Sequence, residues 1–341
     1  MMLRAALVLW LTGCGAPNPA RPVPAVGGDG EILERRPCPV PADRAAFDAE
    51  LDGLRADIEK AGLAAELVAR PLTTIFVPAD HERLGAAARS GRCERVVYRS
   101  GALRVVGFVV TPPTAGPHPV VVWLRGGNRD FGRVQTLGLL WMLDLADAGF
   151  TVVATQYRGA DGGEGHDEFG GADVADVQAL VPLARRLPGA DVDRLYLVGG
   201  SRGAMDGLVA VRRGLPVRAA AFRGGMYDAE AALAARPELG QGWAEMIPDF
   251  EDAYARQRAL EERSAIRWVD ELRVPILLGH GRQDWRVLVA DAEAFAAALA
   301  AAGTAHQLVI YEREEHQLVF HRAAWTARIV DWFRQHGAFA R

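Results

Sequence analysis

The sequence predicts an α/β fold: an eight-stranded, mostly parallel sheet with helices on both faces and a short helical insertion. Three observations carry this expectation. From residue 93 to the end, short β-rich runs alternate with helical stretches, the pattern that builds an open sheet by right-handed crossovers. The last six runs are nearly continuous Val, Leu, Ile and Ala, as strands buried on both faces require. The chain is 341 residues long, 50% apolar and 24% charged, which supports one large core and excludes disordered, collagen-like and multi-span membrane chains.

At the start, Arg4 precedes the apolar run of residues 5–11, too short to span a bilayer but suited to an export signal. The run closes on Leu11-Thr12-Gly13-Cys14, which resembles a bacterial lipobox, whose cysteine is lipidated after cleavage; an ordinary secretory signal is the alternative. Residues 1–13 are therefore expected to be a signal peptide and 14–37, rich in Pro, Gly and Ala, a lipid-anchored flexible tether. Gly15 after the cysteine, by the same resemblance, implies the bacterial cell envelope at the periplasmic face of the outer membrane. With Cys14 lipidated, Cys38 and Cys93 remain. In an oxidising compartment they would close a loop of about 55 residues, worth roughly 4 kcal/mol; two buried free thiols are the alternative.

Residues 38–92 read as an N-terminal helical segment. Phe47, Leu51, Leu54 and Ile58 stand at helical spacing after the start signals Pro41 and Asp43, an apolar stripe for packing on the main domain. In the main domain, 93–341, strands are expected at 95–98, 104–111, 119–124, 151–157, 194–198, 218–222, 275–279 and 307–311, the first two as an antiparallel hairpin. Helices are expected at 134–148, 174–186, 204–213, 288–302 and 323–334. An insertion at about 226–267, mostly helical, carries Trp243, Phe250 and Tyr254 as candidate pocket residues.

Formal charge is −4, giving no nucleic-acid signal. Of the 39 basic residues only Lys60 is a lysine, and the only serines are Ser90, Ser100, Ser201 and Ser264. Arg abundance is therefore a compositional skew, and a serine inside a motif carries more information than usual. Such a motif is Gly199-Gly200-Ser201-Arg202-Gly203: G-x-S-x-G between an apolar run and a helical stretch, where glycines let a sharp turn raise the serine above the sheet. A serine nucleophile needs a base, and the base an orienting carboxylate, in the order Ser, acid, His. Asp284 follows the run 275–279, and His316 follows 307–311. His306 and His118 precede strands, His321 begins the last helix and His336 lies near the terminus. The oxyanion donors expected are the backbone N–H of Arg202 and that of Gly127 or Asn128, after the run 119–124. The Asn128 side-chain amide or a plain turn asparagine are equal alternatives. No C-x-x-C or H-E-x-x-H spacing suggests a metal, and no phosphate loop or other sign of a cofactor is found.

From about Ser100 onward the chain resembles the catalytic domain of the prolyl oligopeptidase family, within the α/β-hydrolase fold. The resemblance rests on Gln156-Tyr-Arg-Gly159, residues 191–203, residues 264–277, His280-Gly-Arg-Gln-Asp284 and Glu315-His316. It implies a Ser-His-Asp hydrolase working through an acyl-enzyme. Two departures stand out: Arg125 where relatives usually have the His of His-Gly-Gly, and Ala204 where they usually have Gly. The segment before Ser90 is too short for the family's propeller. The expected function is cleavage of a peptide or ester bond in a small substrate. Alternatives are a carboxylesterase of small acyl esters and a non-catalytic, surface-anchored binding lipoprotein on a hydrolase fold.

Overall fold

Among the described residues the strands are β1 (Ile32–Pro37), β2 (Cys93–Ser100), β3 (Leu103–Val110), β4 (His118–Leu124), β5 (Thr151–Thr155), β6 (Ala190–Gly200), β7 (Ala219–Arg223), β8 (Ile276–Gly281) and β9 (His306–Tyr311). In this computed structural model, which describes residues 28–60 and 79–339, they form one sheet in the order β1-β2-β3-β5-β4-β6-β7-β8-β9. The β1/β2, β2/β3 and β3/β5 pairs are antiparallel and every later pair is parallel. The mostly parallel α/β architecture is thus present, with two apolar cores on opposite faces of the sheet. One holds Phe108, Trp141, Phe150, Tyr196 and Phe333; the other holds Val122, Leu197, Leu208, Phe222 and Phe295.

The ninth strand corrects the expected boundaries. β1 lies inside the stretch assigned to a tether and pairs with β2 as far as Pro37↔Glu94. Ile32-Leu-Glu-Arg-Arg-Pro37 has no two-residue apolar alternation, so periodicity does not mark it. Cross-strand charges stabilise it instead, Arg35 with Glu94 and Arg104 with Glu34. Its end is tied down where Cys38 donates its N–H to the Cys93 carbonyl and the two side chains form a disulfide, their Cα atoms 5.3 Å apart. Residues 1–27, including Cys14 and the signal segment, and the side chains of Leu51, Leu54 and Ile58 lie outside the described part.

The other elements fall close to expectation. The helix Arg44–Lys60 buries Phe47 against His81, ring centroids 5.8 Å apart. The helix Ala79–Arg89 docks through Arg83 to Asp144 and through Asp80 to Arg322 of the final helix, Arg322–Gln335. The single helix expected at 174–186 is two short ones, Val174–Gln178 and Leu180–Ala184. Pro182 has no N–H to offer the Gln178 carbonyl, so the helix breaks there. The insertion folds as helices Ala229–Ala235, Leu239–Met246 and Ala253–Glu262 around a small core of its own. No described helix is long and apolar enough to cross a membrane.

Candidate active site

The carboxyl ends of the parallel strands gather the candidate residues. Ser201 follows β6, Asp284 lies just past β8, His316 past β9, and the loop of Gly126 to Asn128 follows β4. Ser201 is held at φ 55°, ψ −124°, between β6 and the helix Arg202–Arg212, and its side chain does not cap that helix. A non-glycine residue in this region is strained, and the motif's flanking glycines explain how the turn closes. A Cβ at Gly203 would sit 2.4 Å from the Leu124 carbonyl oxygen, and one at Gly199 2.5 Å from that of Gly203. Ala204 accommodates its extra methyl because Gly225 faces it.

His316 Nδ1 lies 2.7 Å from Asp284 Oδ2, both residues buried. An ionised carboxylate only accepts, so Nδ1 carries the proton and Nε2 is free to act as a base. Asp284 Oδ1 accepts the N–H groups of Arg286 and Val287, at 2.9 and 3.0 Å, which sets the plane of the carboxylate. Burial alone would raise this carboxyl. Electrostatic attraction to the His316 imidazole, then hydrogen bonds from His280 and His316, outweigh burial and hold it well below the usual range. Gly224, just past β7, ties the pieces together. A Cβ there would stand 3.0 Å from His316 Nδ1 and 3.2 Å from Asp284 Oδ2, while the adjoining Arg223 carbonyl accepts the Ser201 N–H at 3.0 Å. Ser201 and His316 share no hydrogen bond in this structure, a contact that hydrolase sites commonly close only with substrate in place.

The oxyanion donors resolve differently from expectation at one position. Asn128 donates its backbone N–H to the Phe131 carbonyl at 3.0 Å and accepts from Phe131 N–H at 2.9 Å, so its backbone N–H is not available to a substrate. The tight turn uses it. Among the described residues nothing accepts the N–H of Gly127 or of Arg202. Gly126 lies directly against the serine; a Cβ on it would be 2.9 Å from Ser201 Cβ.

Of the aromatic residues expected at a pocket, Trp243 is buried in the insertion's own core against Phe169, at 5.4 Å between ring centroids, and Tyr254 is 71% exposed. Phe250 lines a cavity of about 750 Å³ with Leu233, Pro237, Ala244, Glu245 and Arg256. Glu245 also pairs at 2.9 Å with Arg129, in the loop after β4. No group of metal-ligating side chains occurs among the described residues.

Three features were not read from the sequence. His280, inside the motif that supplied Asp284, donates Nε2–H to the Val287 carbonyl at 2.9 Å and lies 3.1 Å from Asp284 Oδ2. Arg202 is wholly buried by Asp167, Asp173 and Asp206, and Asp167 also accepts the N–H of Arg129. Glu314 and Glu315, beside His316, are buried carboxyls, pushed up to about 8 by that burial. A chain in which most cations are arginine hides which of them are interior.

A strained serine at a strand-to-helix turn, with a histidine–carboxylate pair at neighbouring strand ends of an α/β sheet, defines a serine hydrolase. The chain belongs to the prolyl oligopeptidase family (peptidase S9), which matches residues 139–338. It is 28% identical over 211 residues to an uncharacterized peptidase, YtmA, of Bacillus subtilis, covering 62% of this chain and 80% of that one. Dipeptidyl-peptidase 5 of Porphyromonas gingivalis is 27% identical over 243 residues, but this chain spans only 35% of its length. Among solved structures, a Pyrococcus horikoshii acylaminoacyl peptidase superposes with TM-score 0.61 at 19% identity, over 72% of this chain and 42% of that one. A puromycin-hydrolyzing peptidase of Mycobacterium tuberculosis gives 0.60 at 26% identity, over 71% and 39%. The family and these relatives make this protein a serine hydrolase of the peptidase class.

Proposed function

We propose that the protein cleaves peptide bonds in small substrates through a Ser201-His316-Asp284 triad. The observation that carries the proposal is the 2.7 Å His316–Asp284 contact beside a serine in strained backbone conformation. Ser201 Oγ attacks the carbonyl carbon while His316 Nε2 takes its proton. The N–H groups of Arg202 and Gly127 hold the oxyanion, and His316 returns the proton to the leaving amine. Water then hydrolyses the acyl-enzyme by the same proton path. Relatives described as peptidases favour an amide over an ester as the bond cut. A fluorophosphonate probe should label the wild type and not Ser201→Ala. Short peptide anilides, with free and acylated amino ends, should turn over faster at equal concentration than p-nitrophenyl esters corrected for their spontaneous hydrolysis. An esterase would show the reverse, and a binding lipoprotein no labelling.

We further propose that the chain is exported and lipidated at Cys14, tethering the enzyme to the cell envelope. The support is the Leu11-Thr12-Gly13-Cys14 sequence and the disulfide Cys38–Cys93, a bond that lasts in oxidising compartments.

A further inference from the structure

We infer that Arg125 is a positioning residue of the oxyanion site, its guanidinium fixing the Gly126–Gly127 peptide so that the Gly127 N–H faces the carbonyl oxygen attacked at Ser201. This rests on the serine-nucleophile reading above. Arg125 occupies the place where relatives usually have a histidine, and the sequence alone marks it only as a departure. The structure gives it work. Only 1% of its surface is exposed, and its five N–H groups make five hydrogen bonds to four carbonyls. Nη1 donates to Gly126 at 2.9 Å and to Phe131 at 3.1 Å; Nη2 donates to Arg129 at 2.6 Å and to Gln156 at 2.7 Å; Nε donates to Gln156 at 3.1 Å.

Three of those carbonyls belong to the oxyanion loop and the fourth anchors the arginine to the end of β5. The Gly126 bond is the decisive one. In a trans peptide the C=O and the following N–H point in opposite directions. A Gly126 carbonyl turned toward the guanidinium therefore turns the Gly127 N–H away from it, with Gly126 Cα already against Ser201. Two glycines in a row have wide backbone freedom, so without a clamp this peptide is free to flip and withdraw its donor. The bonds to Arg129 and Phe131 hold the far side of the same loop, next to the Asn128–Phe131 turn. No described carboxylate forms an ion pair with Arg125. It lies instead over the Tyr157 ring at 5.1 Å, so its fork is spent on backbone carbonyls.

Positioning and simple structural support make different predictions. In full-length protein, Arg125→Met should lower kcat by about 10²-fold, the scale of losing one oxyanion donor, with KM within about threefold. Affinity for phenylboronic acid, which forms a tetrahedral adduct with the serine, should fall in the same proportion. Arg125→Lys keeps the charge without the fork and should still lose at least about tenfold. Millimolar methylguanidinium should restore part of the Arg125→Met loss. If folded Arg125→Met keeps kcat and boronate affinity while only its melting temperature drops, the inference is overturned. If that variant does not fold, Arg125→Lys carries the same readouts, and full retention of both overturns it equally. A wild type that resists the fluorophosphonate probe would remove the nucleophile reading and this inference together. A wild type that labels, alongside fully active Arg125 variants, removes this inference alone.

Discussion

At the scale of single residues the proposed triad makes a sharp kinetic prediction. Ser201→Ala and His316→Ala should each cost several orders of magnitude in turnover, and the double variant should be scarcely worse, because the two act as one unit. Asp284→Asn should cost roughly 10³–10⁴-fold. Its Oδ1 can still accept from Arg286 and Val287, but an amide facing Nδ1 favours the wrong histidine tautomer. His321, five positions on, pairs with Glu314 and not with Asp284, so His321→Ala should keep most activity. Equal losses from both histidine variants, with folding verified by circular dichroism, would sink the assignment of the base. The strand-end placement of Ser201, Asp284 and His316 was legible because each follows an apolar run in a fixed order. Arg125 was not, since neither composition nor spacing says which of many arginines turns inward. Sequence left Gly127 and Asn128 as alternatives for a related reason: a donor's availability depends on a partner three residues away, and sequence does not say that the turn has claimed the Asn128 N–H.

At the scale of elements, the inner parallel strands were readable because burial on both faces leaves mostly apolar residues in their central stretches. β1 escaped because an edge strand need not be apolar; ion pairs and one covalent tie replace hydrophobic alternation. The same contrast separates the two halves of 174–186, where helical periodicity continues across a proline that the backbone does not tolerate mid-helix. The covalent tie is testable. Because it closes a loop of 55 residues, replacing Cys38 and Cys93 together by serine should lower unfolding free energy in urea by roughly 4 kcal/mol. Turnover at 25 °C should stay within about twofold, as β1 and β2 form the edge remote from β6 to β9. A change below about 1 kcal/mol would show that β1 holds its place by pairing and charge alone.

At the scale of the whole molecule, two properties separate address from stability. The proposed anchoring rests on Cys14, so Cys14→Ser should move the protein from the membrane pellet to the soluble fraction with specific activity unchanged; persistence in the pellet refutes the lipid assignment. Stability belongs to the buried carboxyls and carries its own pH signature. Burial pushes Glu314 and Glu315 up to about 8 and Asp206 up to about 7, whereas unfolded carboxyls titrate near 4. Between those limits the folded state keeps protons that the unfolded state has released, so stability falls as pH rises through the window. Asp167 works oppositely. Burial would raise it, but the Arg202 charge and hydrogen bonds lower it to about 2, so its contribution is present above pH 4 and lost in acid. The melting temperature should therefore be higher at pH 6.5 than at pH 8.5, with the fall steepest below about pH 7 and levelling off once the folded carboxyls ionise above about pH 8. Glu315→Gln, which can still accept the Gln317 N–H that Glu315 now accepts at 2.8 Å, should flatten that fall by about one proton's worth. A wild-type melting temperature that is flat or rising from pH 6.5 to 8.5 would mean these carboxyls are already ionised in the folded protein.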